Sequence, residues 1–253
     1  MKKFITVLLP LVLGVACLGV FAGCDDKTPE TPAPVIENVT DKEFTGWGTY
    51  TGELTDGKPT GTGKLVTAEY TYEGTFSGVF AVTGEGVLTY TSGEANGDVS
   101  RGTFVQGKLE GYGVKEFKNS GCIGIGYYKN NLLNGKGYFC WPQDNGAWDW
   151  YYGDWENMVR KGTGIYQFNN GCWYTGEFND WINGEGTFHW TNGNFWTGTF
   201  EGGSPKKGNY GYGQMDGVKG YILADATDGH WSWYNGTLED GTQIVNGQPV
   251  EAE

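Results

Sequence analysis

Tyr151-Tyr152-Gly153-Asp154-Trp155, followed six residues later by Gly162-Thr163-Gly164, is the stretch on which the fold turns. Tyr174-Thr175-Gly176-Glu177-Phe178 repeats it, with Gly184-Glu185-Gly186 five residues on. Working outward, the same anchor returns around Gly52, Gly74, Gly102, Gly126, Gly198 and Gly236, at spacings of 22, 28, 24, 27, 23, 22 and 38 residues along the series. A Gly-x-Gly follows each anchor but the last, as at Gly61/Gly63, Gly84/Gly86, Gly111/Gly113, Gly135/Gly137 and Gly211/Gly213. A period of this length marks an array in which each unit is one supersecondary element.

Each unit reads as a β-hairpin. In a strand, residues i, i+2 and i+4 share a face, so the aromatic, the Gly and the second aromatic of the anchor point one way. Leu88 and Tyr90, Phe139 and Trp141, Tyr166 and Phe168, and Phe188 and Trp190 keep the same parity on the returning strand. Gly between aromatics is expected to leave room for a ring of the neighbouring unit to cross the backbone. Twelve Asn-Gly or Asp-Gly pairs are expected to supply turns of positive φ, four inter-unit turns falling at Asn96-Gly97, Ser120-Gly121, Asn170-Gly171 and Asn192-Gly193. Composition agrees: 45 Gly in 253 residues excludes a helical bundle, and 16% aromatic residues exclude a disordered chain. At two strands per unit and about 4.8 Å per strand, about fifteen strands are expected to span on the order of 70 Å.

The two stretches quoted above look like MORN repeats, whose pattern is Tyr-x-Gly-Glu-Trp, a short loop, then Gly-x-Gly. The resemblance covers about 46–247, with six clear units, a degenerate seventh and a closing half unit. Ser100 and Gly124 stand where the first Tyr belongs, and 216–230 is an insertion before the last anchor. The resemblance implies an all-β, elongated and curved meander of antiparallel hairpins, used for binding or scaffolding rather than catalysis. Direct binding to anionic lipid headgroups is a role ascribed to some such arrays; the acidity of this chain disfavours it without a bridging cation.

The N-terminus reads as an address. Lys2 and Lys3 precede an apolar run from Phe4 to Val20, and Phe21-Ala22-Gly23-Cys24 ends in small residues, as in a cleaved secretory signal. Cys after Ala-Gly resembles the lipobox of bacterial lipoproteins, with Phe21 where Leu is commonest. That resemblance implies that Cys24 becomes the first mature residue and carries the lipid. Three segments are therefore expected: a signal peptide 1–23, a lipidated Cys24 with a flexible acidic, Pro-rich linker to residue 45, and a repeat domain 46–253. The location that follows is the cell membrane, lipid-anchored and facing outside the cytoplasm.

Net charge is −13, and removing Lys2 and Lys3 with the signal takes it to −15. No clustered cations exist to follow nucleic acid phosphates. The two His, His189 and His230, fall in different units, and His189 reads as a solvated strand residue. No nucleophile elbow, zinc-protease helix, Walker loop or Ca²⁺-loop signature is present, and no cofactor or metal is expected. Glu53, Glu73, Asp154 and Glu177 recur at repeat positions flanking the anchor glycines and read as a solvated face. Among Cys122, Cys140 and Cys172, only Cys122 and Cys140 flank a single hairpin and could bridge; three buried thiols are the alternative.

One break in polarity singles out a candidate site. Thirteen of the sixteen residues flanking the anchor glycines are polar; the exceptions are Ile125, Tyr127 and Tyr152, in adjacent units. Tyr112 and Tyr138 join them if the returning strands keep parity. An exposed apolar patch of Ile125, Tyr127, Tyr138 and Tyr152 marks an interaction site. The alternative is that these rings pack on neighbours, or under the inter-unit loop containing Trp148 and Trp150. The reading is a non-enzymatic binding or scaffolding module whose partner is a protein or glycan of the cell envelope. The alternatives are a cell-wall glycan binder using its aromatics and an envelope carbohydrate-active enzyme using paired acids.

Overall fold

The computed structural model describes residues 32–206, 210–215, 218–224, 234–238, 242–245 and 248–250. The chain divides into two units, Met1–Ala33 and Pro34–Glu253, and the architecture below is that of the second. The expected signal segment 1–23, Cys24 and linker residues 25–31 lie outside the described residues.

The described residues hold no helix and form twenty strands. The first ten are β1 (Ile36–Phe44), β2 (Gly48–Thr55), β3 (Lys58–Val66), β4 (Tyr70–Ser77), β5 (Gly84–Tyr90), β6 (Val99–Val105), β7 (Lys108–Glu116), β8 (Ile123–Lys129), β9 (Leu132–Pro142) and β10 (Trp148–Glu156). The rest are β11 (Val159–Gln167), β12 (Trp173–Asn179), β13 (Trp181–His189), β14 (Phe195–Glu201), β15 (Ser204–Pro205), β16 (Tyr210–Met215), β17 (Val218–Ala224), β18 (Tyr234–Leu238), β19 (Gln243–Val245) and β20 (Gln248–Val250). Each strand pairs antiparallel with the next, except that β15 and β16 share one side of β14. The fold is one open antiparallel meander, as the repeat pattern predicts.

Turn chemistry differs between the two ends of the strands. Within units, Asp56-Gly57, Gln106-Gly107, Asn130-Asn131 and Asn157-Met158 have both central φ values positive, from 49° to 77°. These are tight turns whose twist matches that of the strands they join. Between units the connections are longer, and the turns expected at Gly97, Gly121, Gly171 and Gly193 are found there, all with positive φ. Three of the Asn-Gly pairs are not turns, Asn235-Gly236 lying within β18. Asn134-Gly135 lies within β9 and Asn183-Gly184 within β13, at bulges discussed next.

Glycine sets the register. From Gly52 in β2 to Gly198 in β14, a glycine on each strand directly faces a glycine on the next. Over four of these pairs the ring belongs to the same unit, not to the neighbour as expected; at Gly137 the next unit's Trp155 does approach, 3.2 Å from where a Cβ would be. A Cβ on Gly52 would lie 2.5 Å from the Tyr50 hydroxyl and 2.9 Å from the Gly63 Cα. Tyr72 covers Gly74 and Gly86, Tyr151 covers Gly153 and Gly164, and Tyr174 covers Gly176 and Gly186. The ring folds back over its own strand because its hydroxyl has carbonyls to reach there. Tyr50 donates to Glu53 and Thr60 carbonyls at 3.1 and 3.3 Å, and Tyr174 to those of Glu177 and Glu185 at 3.3 Å each.

Those carbonyls sit at a β-bulge. Register slips immediately after Gly52, Gly102, Gly126, Gly153 and Gly176. The extra residues fall at the first Gly of each Gly-x-Gly; Gly61 and Gly162, with φ of 62° and 61°, occupy the left-handed conformation a bulge requires. Three of the recurrent acids are tied to these bulges rather than simply solvated, while Glu73 is exposed and pairs with Lys64 at 2.8 Å. Asp154 accepts from the Thr163 amide at 3.0 Å, Glu177 from the Glu185 amide at 2.9 Å, and Glu53 from the Thr60 hydroxyl at 3.1 Å.

The covered face carries the core. Tyr50, Tyr72, Tyr151 and Tyr174 are fully buried. Edge-to-face ring contacts link each unit to the next, Tyr50 to Phe76 at 5.0 Å, Tyr72 to Phe104 at 5.5 Å, Tyr151 to Phe178 at 4.7 Å and Tyr174 to Phe200 at 5.0 Å. Where the first Tyr is missing, other side chains fill the gap and register holds. Leu109 reaches over Gly102 and Gly113, and the Tyr128 hydroxyl lies 2.6 Å from where a Cβ on Gly124 would be.

Three expectations need correction here. Residues 24–45 are not linker throughout, because Ile36–Phe44 is strand β1, paired with β2, so the sheet begins before Gly46. As an edge strand β1 buries little, and a slip between Val39 and Lys42 interrupts it, so no alternation shows in its sequence. Within the expected insertion 216–230, Val218–Ala224 is strand β17, paired with β16 and β18; Asp216, Gly217 and 225–230, with His230, lie outside the described residues. The Cys122–Cys140 bridge is not formed, and all three described cysteines are free thiols. Cys140 faces Ile123 across the ladder, one residue out of step with Cys122, which packs on the core side. The two sulfurs are therefore on opposite faces.

Candidate binding face

The face opposite the core carries the predicted patch. Val114, Ile125, Tyr138, Tyr152 and Ile165 face one another in succession across β7 to β11, forming one apolar row. Beside it Tyr112 and Tyr127 form a direct cross-strand pair, their rings 5.7 Å apart and nearly perpendicular. Tyr112, Tyr127 and Tyr152 are 62, 53 and 51% exposed. Tyr138 is half-buried instead, against Trp150 at 5.9 Å. Burial, then the neighbouring Cys140 thiol, pushes its pKa up to about 12. Trp148 and Trp150 lie in β10, not in a loop, so no loop covers these tyrosines.

The row continues into residues that the sequence reading passed over. Next to the Val114–Ile165 row, Trp150, Gln167, Trp173, His189 and Phe195 face one another from β10 to β14. His189 lies flat on Trp173, 3.7 Å between centroids and 8° between planes, with Phe195 on its other side at 5.9 Å. It is thus stacked rather than solvated, and burial lowers its pKa. Trp173 and Phe195, two positions further out on the same face, carry the signal that would have extended the patch.

A hollow of about 320 Å³ opens on this face beside Tyr152, lined also by Lys136, Thr163, Ile165 and Thr175 and floored by Gly153, Gly164 and Gly176. Lys136 pairs with Asp154 at 2.8 Å. Partial burial raises the Asp154 pKa, but hydrogen bonds from Lys136 and Thr163 outweigh it and hold the carboxyl below its usual range. That acid is committed to structure.

A single-sheet meander, a bulge after five of the anchor glycines and a tyrosine over four of the facing glycine pairs define a hairpin-repeat protein. The repeat itself is identifiable: residues 50–71, 101–122, 125–145, 151–173 and 174–195 match the MORN repeat. Five segments of the chain are thus similar to MORN repeats. The hairpin of β4 and β5 falls between these matches, yet it keeps the Gly74–Gly86 pair under Tyr72. No curated protein matches the chain.

Proposed function

We propose that this chain is a membrane-anchored, non-enzymatic module of the cell envelope that binds a protein through the face opposite its core. The observation that carries this reading is the uncovered apolar row Val114–Ile125–Tyr138–Tyr152–Ile165 with Tyr112 and Tyr127 beside it. Contiguous exposed apolar surface with Tyr at its centre suits a protein partner. Asp154, Glu177 and Glu53, acids an enzyme could use at the repeat positions, are bound to bulges, which supports a non-catalytic role. Replacing Tyr127 and Tyr152 together by Ser should weaken capture of the partner from envelope fractions by about 2 kcal/mol or more. Stability should change by about 0.5 kcal/mol or less per site. A marked fall in melting temperature with unchanged capture by the folded fraction would make these rings packing residues.

A glycan partner is the second reading, and the hollow beside Tyr152 favours it, since Thr163 and Thr175 bring hydroxyls next to an exposed ring. Two features favour the protein. Val114, Ile125 and Ile165 offer a sugar no flat ring, and Trp173 and His189 spend their ring faces on each other. Anchoring rests on Cys24 after Ala22-Gly23. A Cys24→Ala protein should lose its acyl groups and leave the membrane fraction. Unchanged mass on lipid analysis and unchanged partition would remove the anchor from the account. At least two acyl chains are expected, because one gives only marginal binding.

A further inference from the structure

The sheet has a second feature, at the inter-unit end of β1 to β4 and outside the MORN matches in part. A cleft of about 630 Å³ opens there, lined by Glu43, Phe44, Trp47, Glu69, Tyr70 and the backbone of the Thr45–Gly48 turn. Phe44 and Trp47 stand nearly perpendicular at 5.7 Å, and Phe80 closes the far side of Trp47 at 5.2 Å. Among the described residues neither the Glu43 nor the Glu69 carboxylate has an ion pair or side-chain hydrogen bond. The nearest base, Lys42, is engaged by Glu37 at 3.2 Å.

The same molecule shows what such a set of groups holds. In β11 the Arg160 guanidinium lies 4.8 Å from the Trp181 ring, 5.5 Å from Tyr166 and 5.6 Å from Trp141. Asp180 adds a negative charge beside it. Aromatic faces attract a cation through their quadrupole, and a nearby carboxylate adds direct attraction. The cleft at Trp47 also brings rings and acids together; among the described residues the chain's own cation there is Lys42, 5.7 Å from the Phe44 ring and paired with Glu37, which leaves Trp47, Tyr70, Glu43 and Glu69 without one. We infer that this cleft binds an organic cation, a guanidinium or alkylammonium group, between Trp47, Tyr70 and the Glu43 and Glu69 carboxylates. The net charge of −13 draws cations toward it at long range.

The test titrates the protein with argininamide and follows the Trp47 indole and the Gly46 and Gly48 amides by NMR. Citrullinamide, of nearly the same shape, is the control; both probes are Nα-acetylated, so that the guanidinium is the only charge and the control is neutral. Saturable shifts with argininamide, at least tenfold weaker with citrullinamide and in Glu43→Gln/Glu69→Gln, support the site. A Glu94→Gln/Asp144→Gln protein should bind as the parent does, because those acids lie outside the cleft. Equal binding of both probes, no shift at Trp47, or equal loss in both double variants would overturn the inference. Circular dichroism checks folding, which neither exposed pair should disturb. An Arg-containing peptide binding well above argininamide assigns the cation to a macromolecular partner, and equal affinity to a small molecule; either source keeps the site.

Discussion

Tyrosine rather than phenylalanine opens most units because its hydroxyl is used. The ring fills the space left by two facing glycines, and the hydroxyl satisfies carbonyls turned out at the bulge, as Tyr174 does for Glu177 and Glu185. The two roles separate by substitution. Tyr174→Phe keeps the ring and loses the hydrogen bonds, so chemical denaturation should show a loss of about 1 kcal/mol. Gly186→Ala puts a methyl into the Tyr174 ring and should cost more, about 1–3 kcal/mol, by overpacking. Equal costs for the two, or a neutral Gly186→Ala, would mean the ring is free to move aside. The acid of the repeat has an equally local reason: Asp154 and Glu177 hold amides on the bulged strand. A recurring acid in such an array is thus weak evidence of a site.

At the scale of the hairpin, the sequence was legible wherever side-chain parity was strict. Tyr151-x-Gly153-x-Trp155 placed its rings on the buried face and Tyr152 on the exposed one, and the structure has them there. The bulges were not legible, since a one-residue slip leaves the same Gly-x-Gly string as an unbroken strand. Edge strand β1 was not legible either, because parity appears only where one face is buried, and Ile36–Phe44 is mostly exposed. The Cys122–Cys140 pairing failed for a related reason: flanking one hairpin fixes proximity along the strand but not the face. Of the binding face, Ile125, Tyr127, Tyr138 and Tyr152 were visible as departures from polarity, while Trp173 and Phe195 were hidden by their distance from the anchor. Neighbour-only contact makes the hairpin the unit of stability. Removing Gly176–Thr197 restores a Tyr174-Thr175-Gly198-Thr199-Phe200 anchor, and that protein should stay soluble and β-rich by circular dichroism. A helical spectrum or complete unfolding would contradict a modular sheet.

For the whole molecule, two faces divide the labour. One is sealed by an aromatic spine that passes from unit to unit; the other carries the apolar row across the middle strands, with Trp173, His189 and Phe195 continuing beside it to β14. Folding needs the first, and nothing in the sheet covers the second at Tyr112, Tyr127 and Tyr152. Partner contact should therefore map to one face and to its middle. Site-specific photo-crosslinking in intact cells tests this most directly, with a benzophenone amino acid placed singly at Tyr127, Tyr152, Lys64 and Thr199. All four positions lie on the face opposite the core, but Lys64 and Thr199 are outside the apolar row. The account predicts a discrete adduct from Tyr127 and Tyr152 and none from Lys64 or Thr199. Adducts from all four positions alike, or from the two outer positions only, would contradict it.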